Sequence, residues 1–193
     1  PIAEVTWRSI LRCCNNSKAD LQTAQVQHSL AVLLIRQRKF MEARQLLESS
    51  LKTREVLTGA DSLVSAATMT TLATVYETEG HYSKAEKGCR KAIRVFSLHD
   101  PNGQAMASAL NNLGTVLKSE GSFSESAAAL EKALEIQTRL FGLDSIEVAT
   151  TQCNIAVVYR LLGDIEKSKC NGQSALQIFQ KKLLPNDPKV AIA

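Results

Sequence analysis

The chain has 193 residues, a net charge of +4, 45% hydrophobic residues and only 5% aromatics. A continuous core can form at this length, but the mild charge and scarce rings do not supply the dense basic, aromatic stripe that nucleic acid binding uses. No run approaches the roughly 18 apolar residues of a membrane span.

In chain order, residues 1–17 read as the second helix of a preceding unit, because Ala3, Trp7, Ile10 and Leu11 reproduce the spacing of Ala85, Cys89, Ala92 and Ile93. Four units follow over 22–62, 63–103, 104–145 and 146–187, and 188–193 reads as the start of a further one. Both ends therefore look like cuts in a longer protein. The units share a rung at Phe40, Tyr82, Phe123 and Ile165, spaced 42, 41 and 42 residues apart. Ahead of it recur Leu30, Leu72, Leu113 and Ile155, then Ala31, Ala73, Gly114 and Ala156. After it recur the small residues Ala43, Ala85, Ser126 and Ser168, then Leu47, Cys89 and Leu130. Offsets of three, four and seven return a side chain to one helix face, so each unit is predicted to be two amphipathic helices.

The predicted break falls just before the rung, at Gly80, Gly121 and Gly163, where glycine accepts the left-handed backbone that ends a helix. Arg38 holds that place in the first unit, so the same turn there is expected to carry some strain. Between units, Gly59 to Ser62, His99 to Asn102, Gly142 to Ser145 and Pro185 to Pro188 carry the Asp, Ser and Pro residues that cap and start helices. Gly172 stands where the other units have Leu47, Cys89 and Leu130, which predicts a loose fourth unit.

This pattern resembles the tetratricopeptide repeat in the 42-residue variety of kinesin light chains. The stretches that carry the likeness are Ala109 to Gly114, Ala133 to Ile136 with Arg139 to Gly142, and Ser145 to Ala149. The resemblance implies an all-α fold, a right-handed α-solenoid of tetratricopeptide helix-turn-helix repeats. It also implies a non-enzymatic adaptor or scaffold that binds a partner peptide or helix in a concave groove.

The remaining chemistry-bearing residues fit that expectation. His28, His81 and His99 lie in different places with no metal-ligand spacing, and no nucleophile motif or phosphate loop accompanies them. No catalytic residue, metal or cofactor is assigned. Glu77 and Glu79 flank a helix end and read as solvated. The five cysteines, adjacent at Cys13 and Cys14 and otherwise single, read as small apolar fillers in a reducing compartment. A cytoplasmic location, with cytoskeletal or ciliary association open, is the expectation. The basic set Lys84, Lys87, Arg90, Lys91 and Arg94 reads as a solvated outer face.

By the family's pattern, the groove would be lined by His28, Val32 and Arg36; Thr70, Thr74 and Glu77; Asn111, Asn112, Thr115 and Lys118; and Asn154, Val157 and Arg160. An asparagine amide both donates and accepts, and so can grip an extended peptide backbone. Lys118 and Arg160 suit an acidic ligand. The carboxylate clamp of chaperone-binding relatives is absent, because its places hold Ser108 and Asn112 or Thr150 and Asn154. Three readings stay open: a peptide adaptor without nucleic acid or membrane partners, a structural solenoid packed into a cytoskeletal or ciliary assembly, and the regulatory arm of an enzyme or motor encoded outside this segment. Oligomeric state is not legible.

Overall fold

The computed structural model describes residues 4–9 and 20–183, all helix and connecting turn. Residues 4–9 are helical (α1). They are followed by α2 (Leu21–Arg36), α3 (Phe40–Thr58), α4 (Leu63–Thr78), α5 (Tyr82–His99), α6 (Gln104–Glu120), α7 (Phe123–Phe141), α8 (Ile146–Leu162) and α9 (Ile165–Lys182). Each rung residue of the sequence opens a second helix. The expected turn around Pro185 to Pro188, and Cys13 and Cys14, lie outside the described residues.

Hairpins close alike. Lys39, His81, Ser122 and Asp164 donate their backbone N–H to Leu34, Tyr76, Leu117 and Tyr159 at 2.8–2.9 Å, the long-range bond of a Schellman cap. The residue just before each donor is left-handed, with φ of 79°, 85° and 83° at the three glycines and 62° at Arg38. Starts differ more. Asp20, Ser62, Ser145 and Asp164 accept from the backbone N–H three residues on, whereas α6 begins after Gly103 with no side-chain cap. A Cβ at Gly103 would fall 1.8 Å from Asp100 Oδ2, so the Asp100 side chain folds over the space the glycine leaves, and the Gly103 N–H closes the turn on Asp100 O at 3.2 Å.

The chain forms two compact units, residues 1–99 and 100–193. In the first, α2 pairs with α3 and α4 with α5, and α3 and α4 also pack together. Its core gathers Leu30, Ala31, Leu34, Ala43, Leu47, Leu72 and Val75, with Trp7 of α1 against it. Ion pairs from Arg8 to Glu42 and from Lys39 to Glu4 fasten α1 to the first hairpin. Glu4, bonded by Arg8 and Lys39, is held down at about pKa 2.

The second unit repeats this plan with α6 on α7, α8 on α9, and α7 against α8. Helix contact is close enough to need small residues. A Cβ at Gly114 would lie 2.5 Å from Leu130 Cγ, and Ser126, fully buried, donates to Gly114 O at 2.6 Å. Leu47 and Leu130 are both 0% exposed and each covers the following first helix, through Leu72 and Val75 or Ile155 and Val158. Burying such a side chain contributes about 1.5–3 kcal/mol. Gly172 holds this register in the fourth repeat and forfeits it.

Candidate first-helix site

First helices lie side by side within each unit, α2 with α4 and α6 with α8. Polar residues meet along these seams. In the first unit His28 Nε2 is 3.5 Å from Thr71 Oγ1, while its buried Nδ1 finds no partner. Burial, helped by the nearby Arg54 charge, lowers the His28 pKa to about 4. In the second unit Asn154 Nδ2 donates to Asn111 Oδ1 at 3.1 Å, and Thr151 Oγ1 lies 3.3 Å from the same oxygen while also reaching Gln137 Oε1 of α7 at 2.7 Å.

The candidate residues are not equally presented. Thr70 is buried and its hydroxyl donates to Ala66 O at 3.0 Å, and Thr74 and Thr115 likewise turn to carbonyls of their own helices. Val32, Glu77, Asn112 and Lys118 are half-buried, and Arg36 and Arg160 are exposed. Asn154, Val157 and Arg160 come together in one cleft of about 420 Å³, completed by Cys153, Ala156, Ser168, Lys169, Gly172 and Gln173. Gly172 contributes bare backbone to its wall. Its chemistry is an apolar centre at Val157, amides at Asn154 and Gln173, and cations at Arg160 and Lys169. Lys118 stands one repeat earlier in the register of Arg160. Neither Lys118 nor Arg160 forms an ion pair among the described residues.

Elsewhere the titratable groups are dispersed. Among the described residues no three His, Cys, Asp or Glu side chains gather as metal ligands. His81 packs edge-on against Tyr76, and His99 Nδ1 lies 2.9 Å from Val95 O. Burial pushes the Cys89 thiol up to about 12, so it stays an unreactive filler. Glu79 corrects its reading as a solvated carboxylate: at 18% side-chain exposure it pairs with Arg44 at 2.9 Å. Among the described residues no helix is long and apolar enough to cross a membrane.

Several polar contacts follow a longer period than the single repeat. Tyr76 donates to Glu48 with Lys84 5.5 Å from its ring centre, and 83 positions on Tyr159 donates to Glu131 with Lys167 at 4.7 Å. Arg54, only 4% exposed, donates to Val64 O, Thr68 Oγ1 and Gln25 Oε1, where Gln137 bonds Thr151 in the second unit. Aligning the sequence on itself at 83 residues rather than 42 exposes these pairs.

Family comparison supplies the name for this plan. The tetratricopeptide repeat matches residues 22–97 and 105–181. The chain belongs to the tetratricopeptide repeat family. Among solved structures it is similar to BtubC (BKLC) from P. vanneervenii, at 24% identity over 96% of this chain and 76% of that one, with a TM-score of 0.79. A putative kinesin light chain from Podosopora anserina with nearly identical TPR-like repeats is 16% identical, covers 93% and 86% of the two chains, and has a TM-score of 0.76. A Rap protein in complex with competence and sporulation factor is 15% identical, with 90% and 48% covered and a TM-score of 0.76. No curated protein sequence matches the chain. Tetratricopeptide repeats of this kind serve protein–protein interaction, and kinesin-light-chain-like proteins share the fold.

Proposed function

We propose that this tetratricopeptide segment is a non-enzymatic adaptor that takes an acidic, extended peptide along the first helices of its second unit. The carrying observation is the cleft at α8 and α9, which puts Asn154, Val157, Arg160 and Lys169 around one apolar hollow of about 420 Å³. Asn154 spends its Nδ2 on Asn111, and this fixes the amide with its carbonyl oxygen left to accept a peptide N–H. Arg160 and Lys118 then meet carboxylates on the same ligand. A charge-assisted hydrogen bond of this sort contributes about 1.5–3 kcal/mol. The Rap protein, solved with competence and sporulation factor, supports the reading at the level of fold alone. The same proposal takes the adaptor to work in the cytoplasm on a protein ligand, not on nucleic acid or membrane.

A random dodecapeptide library displayed against the chain provides the test. Selected peptides should be acidic, and Asn154→Ala with Arg160→Glu should weaken them roughly tenfold to a hundredfold at unchanged helical content. Peptides that bind the double variant equally well would remove the assignment. The register of Gly172 favours a second reading, in which a helix of an assembly partner lies on the cleft, as first helices lie on Leu47 and Leu130. Selection of amphipathic helical sequences in place of extended acidic ones would favour that alternative.

A further inference from the structure

A second concavity lies on the other side of the repeats, away from the first-helix seams. It sits in the first unit between α3 and α5, with α4 beneath, and has a volume of about 280 Å³. Leu51, Met69, Leu72 and Ala73 form its floor. This is below the roughly 300–1,000 Å³ of small-molecule clefts and fits one large apolar side chain. Gly88 makes the hollow. Its register holds Leu46, Ala129 and Asn171 in the other repeats, and a Cβ at Gly88 would meet only ordinary contacts, 3.7 Å from Met69 O and 3.8 Å from Ala73 Cβ. Nothing in the backbone requires glycine there.

Three lysines, Lys84, Lys87 and Lys91, rise along one face of α5 at the rim. Lys84 leans on the Tyr76 ring and Lys91 pairs with Glu55 at 3.1 Å, which is the one carboxylate of the lining. Lys87 is exposed and forms no ion pair among the described residues. The corresponding face of the second unit lacks both features. Cys170, Asn171 and Ser174 replace Lys87, Gly88 and Lys91, and Asn171 turns its amide onto Lys167 O. On this second-helix face, an apolar hole and a surplus of positive charge therefore coincide in the first unit and not at the matching residues of the second.

We propose that this hollow is a second docking site, which takes a protein segment with one leucine- or methionine-like side chain between acidic residues. The apolar side chain enters over Gly88, and the flanking carboxylates meet Lys84 and Lys87. Charge complementarity selects the partner. Nucleic acid is disfavoured because the floor is aliphatic and the one ring of the lining, Tyr76, is already covered by Lys84 and so is not open for a base to stack on. The site is independent of the first-helix groove and would let one module hold two ligands.

The random dodecapeptide library separates the two sites. A class of peptides with one aliphatic residue flanked by acids should bind the wild-type chain, lose about tenfold or more in affinity with Lys84→Glu and Lys87→Glu, and ignore Arg160→Glu. Gly88→Leu fills the hollow with the residue type that repeat one carries at Leu46. It should abolish that class while the melting temperature rises by about 2–4 °C, since a helix-interior glycine is replaced. Absence of any peptide sensitive to both Gly88→Leu and Lys87→Glu overturns the proposal. So does binding of poly-dT or phosphatidylserine vesicles that Lys87→Glu removes and Gly88→Leu leaves intact, because charge alone would then explain the face.

Discussion

Arg38→Gly should stabilise the protein. Arg38 sits at φ 62°, where the other three hairpins have glycine at 79°, 85° and 83°. The left-handed region costs an L-residue about 1–2 kcal/mol. Its side chain is exposed and makes no hydrogen bond or ion pair among the described residues, so nothing is lost with it. Glycine frees the unfolded chain, which costs about 0.4–1 kcal/mol. The difference leaves a gain of about 0.5–1 kcal/mol, or roughly 1–4 °C in melting temperature for a chain of this size. The counterpart is Gly121→Ala. Its added Cβ would touch nothing within 4 Å at φ 85°, so the same two terms act with opposite sign and predict a comparable loss. Urea melts of both variants measure the pair. Repeat arrays can unfold in parts, so amide exchange at Lys39, whose N–H closes the first hairpin on Leu34 O, reports the local effect. Shifts of the same sign in both variants would refute the assignment of strain to the turn.

Two other outcomes concern close packing within a hairpin and the first-helix seam. Gly114→Ala drives a Cβ to 2.5 Å from Leu130 Cγ, and overpacking of about 1–3 kcal/mol exceeds the roughly 1 kcal/mol gained in helix propensity. Adding Leu130→Cys recreates the Ala73 and Cys89 pairing of repeat two, so a double-mutant cycle by urea denaturation should show favourable coupling. His28, lowered to about 4 in the folded protein from an ordinary value of 6.5, is neutral when buried, and the unfolded chain binds more protons between those values. Its contribution is therefore complete above pH 6.5 and lost as pH falls towards 4, by about 1–3 kcal/mol given its half-burial. His28→Asn, the residue found at Asn111, should flatten the wild-type stability difference between pH 7 and 4.5 by that amount.

What the sequence reveals and what it hides have different physical origins. Phe40, Tyr82, Phe123 and Ile165 mark helix starts reliably because a hairpin fixes backbone geometry every 41–42 residues, and glycine or its strained substitute must stand beside them. Arg54 hides because charge in a sequence reads as solvent-facing. Only the folded neighbourhood shows that Gln25, Thr68 and the Val64 carbonyl surround the guanidinium. The first-helix candidates fall between these cases. Helical period places Asn111 and Asn154 on one face, yet it cannot tell that they bond each other, nor that the hydroxyls of Thr70 and Thr115 turn back onto their own helices. Hollows are the least legible, since they arise from what is missing. Gly88 stands in a register that holds Leu46, Ala129 and Asn171 elsewhere, Gly172 in one that holds Leu47, Cys89 and Leu130, and each lines one of the two clefts proposed to bind. In a repeat protein the neighbouring units state what a position requires for stability. A helix-interior glycine that departs from them costs about 1 kcal/mol without a turn to justify it, and that unneeded cost is the argument for assigning both hollows to ligands.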